Sequence, residues 1–180
     1  MKPANTIVLA WVLTWLTGCA SPSLVTVLEP IGPAPEGQPK KDRDGNLQVY
    51  SARDRARIDV NMEERLWDDD FGRNEFQYDP AHTDYSIYNQ DGAFLKRVRN
   101  ARDQNDPTPT VVHLPPGSYE IQAEAEDYSG TIEVRVPVVI LAGRTTRAHL
   151  IGGWKPRRRY NAGELVRLPD GGFAGWLAAH

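Results

Sequence analysis

The chain predicts an all-β fold, a single antiparallel β-sandwich closed by a C-terminal β-hairpin. Three observations carry that expectation. From Asn46 onward apolar and polar residues alternate with a period of two, proline and glycine punctuate the runs at short intervals, and no amphipathic helix of any length separates them. Parallel α/β folds need such helices as crossovers, so they are disfavoured.

Each strand has its own signature. Leu47 and Val49 alternate with polar neighbours, and Tyr85, Ile87 and Tyr88 lie in a second short run. Gln90, Asp91 and Gly92 then supply a turn into residues 93–100. The clearest strand follows Pro115, Pro116 and Gly117. There Tyr119, Ile121, Ala123 and Ala125 alternate with Glu120, Gln122, Glu124 and Glu126, so one face is buried and the other wet. Ile132, Val134 and Val136 continue the pattern. The run goes on past Pro137, whose missing N–H points to an edge or a bend, to Leu141. Gly143 opens a turn into residues 145–151. Near the C-terminus, residues 164–168 and 173–177 flank Pro169, Asp170, Gly171 and Gly172, a turn with proline to preset φ and glycines to supply positive φ. Leu165, Val166, Leu168, Phe173, Trp176 and Leu177 make this hairpin too apolar to stand alone in water, so it should dock on the sandwich or on a partner.

The N-terminal region has a different character. Met1 and Lys2 precede an apolar run over residues 7–16, the layout of a secretory signal. That run is too short for a hydrocarbon core of about 30 Å, which a helix crosses with about 20 residues. Leu16, Thr17, Gly18 and the lone Cys19 follow, and this tetrad resembles the lipobox of bacterial lipoproteins. The resemblance implies cleavage between Gly18 and Cys19, a diacylglyceryl group on the Cys19 sulfur and an N-acyl group on the new terminus; apart from these covalent groups no cofactor is expected. Several acyl chains anchor stably where one holds only marginally, because each buried methylene contributes about 0.8 kcal/mol. Ala20 and Ser21 lack the aspartate that retains many such lipoproteins at the inner membrane, which favours the outer membrane in a two-membrane cell envelope.

Residues 1–18 are thus a signal peptide and 19–45 a lipidated cysteine with a disordered tether, marked by Pro22, Pro30, Pro33, Pro35 and Pro39 and by the absence of any sustained period. No packed structure is expected in the tether, which would reach about 80 Å as polyproline helix and about 30 Å as coil. Residues 46–153 form the sandwich, and 154–180 a basic linker with the hairpin. A charged insertion over residues 53–75 carries Ile58, Met62 and Leu66 at helical spacing, followed by Asp68, Asp69 and Asp70. These aspartates lack the order of an EF-hand loop, and like Asp103 and Asp106 they are assigned to solvated loops rather than a metal site.

Leu114, Pro115, Pro116, Gly117, Ser118 and Tyr119, with Gly143, Arg144, Thr145 and Thr146 further on, resemble the carboxypeptidase regulatory-like or transthyretin-like domains and the related PEGA repeats. The resemblance covers about 40 residues. It implies a prealbumin/Ig-like sandwich and a non-catalytic role as stalk, spacer or binding module.

The formal net charge of −3, or −4 after loss of Lys2, argues against a general nucleic-acid binder. Neither a Gly-x-Ser-x-Gly elbow, nor a phosphate-binding glycine loop, nor a His-Glu-x-x-His pair occurs. His82, His113, His149 and His180 are scattered, although the alternation would let His113 and His149 face outward and approach across strands. Tyr85, Tyr88, Tyr119 and Tyr128 suggest a carbohydrate-stacking surface, but tyrosine is a favoured strand residue and Tyr119 lies on the inward set, so they are assigned to core packing. Arg157, Arg158 and Arg159, between Trp154 and Tyr160, form a basic linker with the chemistry to grip anionic polymer. The expected function is a lipid-anchored, non-enzymatic envelope protein acting as a structural or adaptor module. Its expected partners are the membrane and another envelope protein. The alternative is an envelope module that binds glycan or anionic polymer, such as peptidoglycan or polysaccharide, through these arginines.

Overall fold

The computed structural model describes residues 25–36, 39–53, 81–100, 108–128 and 130–178. Gly18, Cys19, Ile58, Met62, Leu66, Asp68, Asp69, Asp70, Asp103, Asp106 and His180, named above, lie outside the described residues.

Two long strands form the spine. β7 (Gly117–Asp127) and β8 (Gly130–Ile140) pair antiparallel along their whole length, from Gly117 opposite Ile140 to Asp127 opposite Gly130. On the far side of β7 lies β4 (Tyr85–Asn89), then β5 (Phe94–Val98), joined through Gln90, Asp91 and Gly92 as the turn chemistry predicts. Gly92 takes φ +79° there, and the Asn89 side chain accepts from the Ala93 N–H at 2.7 Å. On the far side of β8 lie β1 (Thr26–Val27) and β2 (Ile31–Gly32), and beyond β2 come β11 (Phe173–Leu177) and β10 (Leu165–Arg167). A second sheet has β3 (Gly45–Tyr50) between β6 (Val111–Leu114) and β9 (Thr145–His149).

The two sheets bury one cluster of apolar side chains. Ile121, Ala123, Ala125, Val134, Val136, Val138, Tyr85 and Ile87 from the first meet Leu47, Val49, Val112, Leu114, Ala148 and Leu150 from the second. Their alternate neighbours face the other way, as the period of two requires. Among the described residues there is no α-helix, only a 3-10 turn over Ala162–Glu164.

Three expectations fail, each for a physical reason. Both sheets are mixed rather than antiparallel: β3 runs parallel to β9, and β1 and β2 run parallel to β8. Parallel neighbours need a long connection, which the strands between β3 and β9 provide, and local alternation carries no information about direction. The supposed tether is packed over residues 26–33. Leu28 and Ile31 are buried, the Leu28 N–H donates to the Arg135 carbonyl at 2.9 Å, and Pro33 bridges Thr146 in the second sheet. Two-residue strands are too short to show a period, yet they satisfy the second edge of β8.

Pro137 lies in a central strand, not at an edge. Its ring nitrogen faces the same side as the Arg135 carbonyl two residues earlier, where residues 29 and 30 leave the ladder between β1 and β2. The missing donor therefore falls where no acceptor is waiting.

The C-terminal hairpin forms as predicted. The Leu168 N–H donates to the Gly172 carbonyl at 2.8 Å, Gly171 takes φ +85°, and the Asp170 carboxylate accepts from the Gly172 N–H. It docks as an extension of the first sheet, with Trp176 opposite Gly32 and Leu177 opposite Ile31.

Candidate functional site

Two constellations stand out among the described residues, and they differ in what they can do. The first is a column of rings. Tyr50 and His149 end β3 and β9 in parallel register, so their side chains lie side by side, stacked at 4.4 Å and 15°. Gly152 and Gly153, at φ +64° and +70°, turn the chain back so that Trp154 covers the other face of His149 at 4.5 Å and 8°. His82 meets Tyr50 edge-on at 5.6 Å, Trp154 meets Trp176 edge-on at 6.3 Å, and the Arg158 guanidinium lies 4.4 Å over Trp176.

Burial holds the His149 imidazole down to about 4, with Arg147 and His82 acting in the same direction. His82 is also lowered by burial and by Arg53, against the pull of the Ser51 carbonyl and Glu126. Both rings are thus neutral at pH 7, closed in by packing, and placed as structural groups.

Beside His82 lies a buried polar set that imitates a Ser-His-Asn triad without its geometry. His82 Nδ1 sits 2.6 Å from the Ser51 carbonyl oxygen, not from Oγ. The Ser51 hydroxyl donates to the Thr83 carbonyl at 2.6 Å and accepts from Asn100 Nδ2 at 2.9 Å. Asn100 also donates to the Val49 carbonyl and accepts from the Thr110 N–H. A nucleophile needs a base at its oxygen; this hydroxyl is already spent on backbone.

The basic linker is not one surface. Arg158 is half-buried, 3.1 Å from Glu36 and 3.0 Å from Glu164 as well as over Trp176, while Arg157 and Arg159 are exposed. His113 and His149 do not meet: His113 is exposed opposite Asn46 on β6, His149 is buried opposite Tyr50 on β9, and β3 lies between them. Of the tyrosines, Tyr85 is in the core and burial raises its hydroxyl well above the usual range. Tyr119 is half-buried, its hydroxyl donating to the Pro115 carbonyl. Tyr128 is exposed and donates to the Asp170 carbonyl. Tyr88 and Tyr128 depart from the core assignment: Tyr88 alternates with Tyr85 and Ile87 and so faces outward, and Tyr128, 90% exposed, lies past the end of β7 and outside the buried cluster.

The second constellation is where Tyr88 points, a groove of about 410 Å³ on the outer face of the first sheet. Asp84, Ser86, Tyr88, Arg97, Gln122, Glu124 and Glu133 line it with polar atoms toward solvent. Arg97 lies 3.7 Å from Asp84, and the Gln122 amide donates to Glu133. Glu124 and Glu133 are directly opposite across β7 and β8, a like-charge pair that sheets ordinarily avoid. Such a surface can bind through hydrogen bonds and ring contact. The alternation of β7 marked these residues as wet; their convergence with Tyr88 and Arg97 follows only from strand order. No group of three or more metal-ligating side chains occurs among the described residues.

Compared with protein-family models, curated proteins and solved structures, the chain matches none.

Proposed function

We propose that the chain is a lipid-anchored, non-enzymatic envelope protein that presents a transthyretin-like β-sandwich as a structural or adaptor module. The observation that carries this reading is the Leu16, Thr17, Gly18, Cys19 tetrad behind the apolar run, and the packing of residues 26–33 against β8 sets how far the folded part can stand from that anchor. With Cys19 lipidated, only residues 20–25 separate the anchor from the first strand. Fully extended, those residues span about 20 Å at 3.3–3.6 Å each. The folded part then sits close against the lipid surface, not on a long stalk, and serves partners at that surface. The stacked His149, the edge-on His82 and the spent Ser51 hydroxyl support a packing role for these three groups. The outer membrane is the favoured address, from the residues that follow Cys19.

Mass spectrometry of the mature terminus and fractionation of Cys19→Ser test the anchor. Acylated Cys19, and release of the variant from membranes, are expected. An unmodified cysteine, or an unchanged membrane fraction, overturns the reading.

A further inference from the structure

The outer face of β4, β5, β7 and β8 is polar at almost every alternate position, which makes its two aromatic rings conspicuous. Tyr88 stands opposite Glu120 on one side and Phe94 on the other. The two rings meet edge-on at 5.7 Å and 72°, which fixes the plane of Tyr88, and Phe94 is 59% exposed. Neither ring contributes to the buried cluster. Apolar surface left in water next to a concave polar site is a mark of binding.

The polar groups around Tyr88 mix donors and acceptors. Arg97 and the Gln122 amide donate; Asp84, Glu124 and Glu133 accept; the Ser86 hydroxyl does both. The internal Arg97–Asp84 and Gln122–Glu133 contacts preset these side chains without exhausting their lone pairs and protons. A ligand satisfied by such a surface must itself donate and accept at closely spaced points, and must also offer an apolar face to a ring. Sugar rings do both, with hydroxyls around the rim and C–H groups on the flat side. Anionic ligands are disfavoured by three carboxylates against one guanidinium.

We propose that this groove binds a short neutral oligosaccharide, with Tyr88 under one sugar ring and Arg97, Gln122 and Glu124 on its hydroxyls. This site is separate from the arginine linker and stands whether or not Cys19 carries lipid.

The full chain is titrated with maltotetraose, cellotetraose and the tetramer of β-1,4-linked N-acetylglucosamine, each to about 10 mM. Binding is followed by residue-resolved NMR shifts, with polylysine and heparin as charged comparators. At least one neutral tetrasaccharide should give saturable shifts confined to Ser86, Tyr88, Arg97, Gln122, Glu124 and Glu133. Tyr88→Ala should weaken that binding roughly tenfold, while Tyr88→Phe, which keeps the ring, holds it within about twofold. Absence of saturable shifts with all three glycans overturns the proposal. Shifts mapping to Arg157 and Arg159, indifference to Tyr88→Ala, or polylysine alone occupying the groove overturn it as well. The titration needs no membrane, so its failure is distinguishable from failure of the anchor.

Discussion

Acid should destabilise this fold through His149, and the size of the effect follows from where the ring sits. The imidazole is 8% exposed, stacked between Tyr50 and Trp154, with Arg147 and His82 as its charged or titratable neighbours. Its value falls from 6.5 when unfolded to about 4 when folded. The unfolded chain therefore binds the proton more readily. Stability is fully present above about pH 6.5, declines as pH falls toward 4, and changes no further below that. The loss attributable to this one ring is about 2 kcal/mol at pH 5 and about 3 kcal/mol at pH 4. His82, lowered in the same sense beside Arg53 and Glu126, adds to it. The assay is urea unfolding followed by tryptophan fluorescence at pH 7 and pH 5, for the native chain and for His149→Phe. Phenylalanine keeps a flat ring between Tyr50 and Trp154 and removes the proton site, while every carboxylate remains common to both chains. The native chain should lose about 2 kcal/mol more than the variant between the two pH values. Equal losses, within about 0.5 kcal/mol, would refute the reasoning.

Four further outcomes follow from the packing. Ile31→Ala empties a fully buried site in β2 and should cost about 3 kcal/mol in chemical denaturation; a loss under about 1 kcal/mol would mean that residues 26–33 are dispensable. Gly143→Ala should lower stability by about 2–3 kcal/mol, since φ is +66° and an added Cβ would lie 1.9 Å from the Lys40 carbonyl oxygen. In thermal melts Arg158→Ala should cost about 1–2 kcal/mol by losing Glu36, Glu164 and the Trp176 ring together, whereas Arg157→Ala and Arg159→Ala should each stay within about 0.5 kcal/mol. Tyr85→Phe should be neutral or stabilising by up to about 1 kcal/mol in the same melts, because its buried hydroxyl finds no hydrogen-bond partner among the described residues.

Much of the strand inventory was legible because a strand's side chains alternate with a fixed period of two, and that period needs no knowledge of neighbours. The wet and dry faces of β7, the turn at Gly92 and the C-terminal hairpin could all be placed from residue order. The short strands β1 and β2 escaped, since two residues carry no period. Leu28 and Ile31 in a proline-rich stretch look like spacer until β8 offers them an edge. The groove was half legible: Glu124 and Gln122 announced themselves as solvent-facing, but nothing local says that Arg97 and Tyr88 arrive on the same side.

By itself, then, the sequence determined an all-β chain, the alternation that divides core from surface, and the turns that glycine and proline dictate. These are consequences of backbone geometry within a few residues. Strand direction, strand order and the meeting of His149 with Trp154, or of Tyr88 with Gln122, were decided only by the tertiary structure. Hydrogen-bond ladders join segments that the chain separates by tens of residues, and the free energy of burying a shared core selects among pairings that local pattern leaves equivalent.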